Sequence, residues 1–118
     1  MKRGELWWAD LGVHRSREQT GKRPVVIWQS DVLSRVLHSI LVIPLTTNTE
    51  RAKLAGTALI AAAELGPPVD SVALAFQMRA IPKTALTARI RALTETEMAE
   101  LELATDEALG RVDPDEPR

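Results

Sequence analysis

The chain has no cysteine and no tyrosine, and only one phenylalanine, three tryptophans and two histidines among its 118 residues. Without cysteine there is no disulfide, no thiolate nucleophile and no thiolate-held zinc. His14 and His38 are too far apart in sequence to read as a ligand pair. Neither a metal nor any other cofactor is therefore expected. Long apolar runs are also missing. The longest, Ile40 to Leu45 and Ala58 to Ala63, fall far short of the roughly 20 residues a membrane helix needs, so no membrane association is expected. Lys2 and Arg3 lead straight into Gly-Glu-Leu-Trp-Trp-Ala-Asp, with no apolar leader and no small-residue cleavage site, which points to a cytoplasmic protein.

Charge is nearly balanced, 15 Lys and Arg against 16 Asp and Glu, but it is unevenly placed. Residues 1–94 carry thirteen basic and seven acidic side chains, whereas 95–118 carry two basic and nine acidic ones. A polyanion is expected to bind the basic body and be repelled by the acidic end. The same distribution also suits an ordinary solvated surface.

The length fits one domain over residues 1–110, followed by a frayed acidic tail, 111–118. Strand-like runs are Glu5 to Asp10, Pro24 to Gln29, Ser39 to Thr46, Thr57 to Ala61 and Ser71 to Phe76, a spacing that suggests a small barrel. One or two helical turns are expected within Asp31 to Leu37. The period then changes. Thr94 followed by Glu97 is a capping-box signature, Met98, Leu101, Thr105, Ala108 and Leu109 recur at helical spacing, and Gly110 ends the run. Glu95, Glu100, Glu102, Asp106 and Glu107 are expected on the solvent side of that helix.

Three segments could carry chemistry. His14 to Pro24 gathers His14, Arg15, Arg17, Glu18, Lys22 and Arg23 between two strands, with Gly21 allowing close backbone approach. It reads as a phosphate-binding loop or as a solvated hairpin connection. Pro24 biases Arg23 toward an extended backbone and so fixes it better than its neighbours. Thr46, Thr47 and Asn48 end a very apolar strand; they can bond phosphate or simply form a turn. Gln77 and Arg79 are read as the end of the strand after Asp70, where Gln77 could meet a base edge or satisfy loop backbone. Trp7, Trp8 and Trp28 sit inside strand-like runs and are expected in the core or an interface.

Four motifs, in order, resemble the MazF/PemK family of toxin endoribonucleases. They are Lys2-Arg-Gly-Glu-Leu-Trp-Trp-Ala-Asp-Leu11, Glu18-Gln-Thr-Gly-Lys-Arg-Pro-Val-Val-Ile-Trp-Gln-Ser-Asp31, Ile43-Pro-Leu-Thr-Thr-Asn48, and Asp70-Ser-Val with Gln77-Met-Arg-Ala-Ile81. The resemblance implies a mainly β fold, an SH3-like β-barrel with a C-terminal helix (the PemK/CcdB-like toxin fold). It also implies a homodimer, cleavage of single-stranded RNA, mRNA included, at short sequences, and neutralisation by a cognate MazE-like antitoxin. Position by position, it implies Arg23 and Thr46 as catalytic residues, Glu18 as a group for proton transfer or site support, and Arg17, Gln19, Gly21, Lys22, Thr47, Asn48, Gln77 and Arg79 as RNA contacts.

The chain departs from the family pattern in two places. Some members carry His immediately before the loop Glu, where Arg17 stands here. Some place Arg and Asp just ahead of the Gln, where Leu74 and Phe76 stand. A gyrase-poisoning toxin of the same fold is the alternative, but it is expected to need an aromatic-plus-glycine ending that Leu109 to Arg118 lacks. A barrel that binds RNA without cutting it is the other.

Overall fold

The computed structural model describes residues 1–12 and 21–115. Seven strands, β1 (Glu5–Asp10), β2 (Lys22–Ile27), β3 (Ser39–Thr46), β4 (Thr57–Ile60), β5 (Ser71–Leu74), β6 (Arg79–Pro82) and β7 (Leu86–Ala92), are joined by α1 (Asp31–Val36) and followed by α2 (Glu95–Ala108). All pairings are antiparallel, in the order β4-β5-β3-β2-β1-β7, and β6 also pairs β3.

One edge of β3 serves two partners. Ser39 to Val42 pair with β6, and Leu45 and Thr46 pair with β5. Pro44, which has no N–H to give, falls in the gap between them. Alternation along the strands builds two cores. Ala9, Leu11, Val25, Ile27, Ile40, Val42, Ile81 and Leu86 form one, and Leu6, Val26, Trp28, Ile43 and Leu45 join Ala58, Ile60, Ala73, Ile90, Leu101 and Ala104 in the other. The first unites Ile81 of β6 with Leu86 of β7, which flank the β3-β2-β1 run on opposite sides. The sheet must therefore curl round this cluster. No β6–β7 ladder closes it among the described residues; a turn at Lys83–Ala85 links the two strands. The fold is thus an open, barrel-like curl whose outer face is covered by β4, β5 and α2.

Two register shifts along the β1–β7 ladder let Leu86 join the inner cluster and Ile90 the outer one, although strict alternation puts both on one face. That irregularity, with only Leu86 and Ile90 as large apolar residues, hides β7 from a sequence reading. β6 is hidden by its length of four residues and its terminal proline.

The capping box forms. Thr94 Oγ1 accepts from the Glu97 N–H at 3.1 Å, and Glu97 Oε1 accepts from the Thr94 N–H at 2.9 Å. The buried face of α2 is Glu97, Leu101 and Ala104, shorter than the expected stripe, and Ala108 and Leu109 are exposed. Glu97 is buried because it forms a two-point ion pair with Arg91, at 2.8 and 3.1 Å. Arg91 also donates to the carbonyls of Ala61, Gly66 and Ala92, tying the 61–70 connection to the start of the helix. Glu107, expected in solvent, instead accepts the Gly56 N–H at 3.1 Å. Trp28 is buried, and the Arg3 guanidinium lies 4.0 Å over its ring.

Candidate active site

Four strand ends meet at one rim of the curl: β1 ends there, β2 begins, β3 ends and β7 begins. The β2–β3 ladder sets Val25 opposite Pro44, and continuing that register by two residues sets Arg23 opposite Thr46. Opposed residues share a face, so both side chains belong to the inner-face set of Val25, Ile27, Ile40 and Val42. They sit at its open end, where each is half-buried.

Arg79 is opposed to Val42 on the same face. That places it four residues along β3 from Thr46, roughly 13 Å away. It makes no ion pair among the described residues, and it lines a cleft of ≈ 220 Å³ with Asp10, Leu11, Ala80, Ile81, Pro82 and Ala85. Asp10 is the rim residue that sequence reasoning missed. Its position at the end of a strand, before a polar connection, was the available signal. Its Oδ1 accepts the Gly12 N–H at 3.0 Å.

Thr46 is oriented from within its own turn. Its Oγ1 accepts the Asn48 N–H at 3.2 Å, which leaves the hydroxyl hydrogen to donate elsewhere. Asn48 Oδ1 accepts the Glu50 N–H at 3.3 Å and caps the short turn at Thr49–Lys53, so its carbonyl end serves structure and its NH₂ end remains a donor. Thr47 is exposed beside it.

Several expectations are corrected by this geometry. β2 starts at Lys22 rather than Pro24, and Lys22 pairs with Asp10 across the ladder, so Lys22 is a strand residue and not a loop residue. Gly21 extends the ladder further. Its N–H donates to Gly12 O and its carbonyl accepts from Leu11 N–H, both at 3.0 Å, with φ of 73° that favours glycine. Gly21 is thereby a closing pair of the hairpin base. Gln77 and Arg79 do not end a strand. β5 stops at Leu74, Gln77 lies in a 3-10 turn at Ala75–Gln77, and Arg79 opens β6. This turn bridges the gap between the two partners of β3. His14, Arg15, Arg17, Glu18 and Gln19 lie outside the described residues.

Thus Lys22, Arg23, Thr46, Thr47 and Asn48 lie at one rim, and Arg79 lies further along the inner face, opposite Val42. The rim pairs an arginine with an oriented hydroxyl, beside an amide donor and with Lys22 adjacent on β2, a donor set suited to phosphate. Among the described residues no group of three or more His, Cys, Asp or Glu gathers that could hold a metal ion.

Residues 2–109 match the family described as PemK-like, MazF-like toxin of type II toxin-antitoxin system. The chain is 34% identical to Endoribonuclease EndoA of Bacillus subtilis over 113 residues, covering 96% of this chain and 97% of that one. It is 33% identical to Endoribonuclease MazF of Staphylococcus epidermidis over 110 residues, covering 93% and 92%. Among solved structures, a mycobacterial endoribonuclease in complex with its cognate antitoxin superposes with a TM-score of 0.75 at 22% identity, covering 97% of this chain and 99% of that one. MazF from Deinococcus radiodurans does so with a TM-score of 0.75 at 21% identity, covering 93% and 96%. Both neighbours share this fold, and the family match over residues 2–109 together with the relatives at 33–34% identity places the chain in the PemK-like, MazF-like toxin family of type II toxin-antitoxin systems.

Proposed function

We propose that this protein is a sequence-selective endoribonuclease toxin that cuts single-stranded RNA at the rim holding Arg23 and Thr46. The observation that carries the reading is the β2–β3 register, which carried on by two residues opposes them on one face at the open end of the curl, with Arg79 on the same face roughly 13 Å along β3. The names of the relatives at 33–34% identity support the same activity.

RNA brings its own nucleophile. The 2'-oxygen attacks the adjacent phosphorus, the P–O5' bond breaks, and the products are a 2',3'-cyclic phosphate and a 5'-hydroxyl. One proton leaves the 2'-hydroxyl and one reaches O5'. The reaction needs in-line positioning and stabilisation of charge on the non-bridging oxygens, and it proceeds without a metal. Arg23 binds those oxygens through its planar guanidinium and Thr46 donates its hydroxyl hydrogen to one of them. Arginine stays protonated, so Arg23 acts by charge and not as the base; Glu18 is the carboxylate in the adjoining connection that can move a proton or support the site. Lys22, Thr47, Asn48 and Arg79, with Gln77 on the neighbouring turn and Arg17, Gln19 and Gly21 of the connection, contact the flanking nucleotides.

The protein acts in the cytoplasm as a homodimer and is neutralised by a MazE-like antitoxin. An extended acidic antitoxin segment would compete with RNA for the same basic rim. The test is incubation of purified protein with a long unstructured RNA in EDTA, with cut sites mapped. A substrate carrying deoxyribose 5' to a mapped cut should resist cleavage there. Cleavage that survives the deoxy substitution, or that stops in EDTA, would overturn the mechanism.

A further inference from the structure

A second cleft lies at the other end of the curl, lined by Met1, Lys2, Trp7, Asp31, Ser34, Arg35 and Lys83, with a volume of ≈ 490 Å³. It exceeds the ≈ 220 Å³ cleft beside Arg79. β2 runs four residues from Arg23 to Ile27, roughly 13 Å, and Asp31, Ser34 and Arg35 of this cleft follow beyond its end, while Trp7, opposite Val25, stands two residues along the ladder from Arg23.

The cleft is cationic. Lys2, Arg35 and Lys83 face a single lining carboxylate, Asp31, which already accepts the Arg3 N–H at 2.8 Å. The neighbouring Glu5 is committed as well, to Arg89 at 2.7 Å and to the Lys2 N–H at 2.7 Å. Lys83 Nζ donates to the Ser34 carbonyl, which fixes the ammonium against α1 and leaves further protons to give. Lys2 and Arg35 form no side-chain ion pair among the described residues. One wall is aromatic. Trp7 is half-buried, packed against the inner cluster, and its indole N–H donates to Glu5 at 3.2 Å, so the ring is held in one orientation.

We propose that this cleft binds a nucleotide, with the base stacked on Trp7 and the phosphate held by Arg35, Lys2 and Lys83. Its volume lies in the range of small-molecule sites, about 300–1,000 Å³. A fixed aromatic face beside unpaired cations matches a π-faced base carrying a phosphate, and base stacking tolerates any sequence. An isolated inorganic anion would leave the Trp7 wall unused. The nucleotide can come from free mononucleotide or from a strand of nucleic acid running over this end, and the inference does not depend on cleavage at the other rim.

The test uses the ¹⁵N-labelled full chain and reads the three tryptophan indole resonances together with the Ser34 and Arg35 amides. Trp7→Phe assigns the Trp7 indole by its loss. The probes are adenosine monophosphate, a short all-deoxy oligonucleotide, which has no 2'-hydroxyl and cannot be cut, and inorganic phosphate. Saturable displacement of the Trp7 indole by the monophosphate supports a free-nucleotide site, and displacement by the oligonucleotide alone supports a strand contact. In either case Arg35→Ser, on an exposed position of α1, should weaken binding by about fivefold or more, as expected for loss of a charge-assisted contact. An unmoved Trp7 indole with both nucleotide probes, an equal response to inorganic phosphate, or unchanged affinity in Arg35→Ser would overturn the proposal.

Discussion

Glu5 is the hub of the first strand, and replacing it with Gln tests how much its charge stabilises the fold. Burial alone would raise its carboxyl pKa. The hydrogen bond and charge of Arg89, the Lys2 N–H and the Trp7 indole outweigh burial and hold it at about 2 instead of the ordinary 4.5. Fully realised, that difference corresponds to about 3 kcal/mol. Arg89 is 49% exposed, however, and solvent screening reduces the figure to about 1–2 kcal/mol. The sign follows from a folded-state pKa below the unfolded one. The stabilisation is fully present above pH 4.5 and is lost as pH falls toward 2. Urea denaturation of wild type and Glu5→Gln should therefore differ by about 1–2 kcal/mol at pH 7, and the gap should shrink progressively from pH 4.5 downward. A cycle with Arg89→Gln should show most of the loss as coupling between the two residues. Equal stability of wild type and Glu5→Gln at pH 7, or a gap that stays constant to pH 3, would refute the reasoning.

Three further outcomes follow from the packing. Glu97→Gln, which unpairs the nearly buried Arg91, should destabilise the protein by about 2–3 kcal/mol in urea, and because the Glu97 pKa is lowered this loss too should fade as pH falls below the ordinary carboxylate range. Thr94→Ala should remove about 1 kcal/mol through loss of the cap, measured the same way. Gly56→Ala should cost about 1–2 kcal/mol, because φ is +80° there and the added carbon would come within 3.2 Å of the Phe76 ring; a neutral result by thermal melting would contradict the backbone strain, which remains even if the ring moves aside.

Strands whose two faces are both apolar were legible from the sequence, because β1 and β3 follow their apolar runs residue for residue. Helix α2 was equally plain from its capping box and its glycine stop, which has φ of 74°. The rest depended on contacts distant in sequence. The apolar signal of β7 is thin and broken by register shifts, and the burial of Glu97 follows from Arg91, six residues away and on another element. Within the site, the motif residues Arg23 and Thr46 could be named, yet no sequence spacing shows that the β2–β3 register, carried on by two residues, opposes them. Reading Gln77 and Arg79 as the end of the strand begun at Ser71 failed because the edge of β3 is shared, which forces the chain to turn at Ala75–Gln77 before it can pair again.

The most direct test of the central claim is the single-turnover rate of Arg23→Ala against wild type at a mapped cut site, with the product ends identified. If Arg23 stabilises the phosphorane-like transition state, cleavage should slow by about 10²-fold or more, in the range for removal of one preorganised donor, while the variant stays folded. The residual products should still carry 2',3'-cyclic phosphate and 5'-hydroxyl ends. A near wild-type rate for Arg23→Ala, or wild-type products with 3'-hydroxyl and 5'-phosphate ends, would contradict the account.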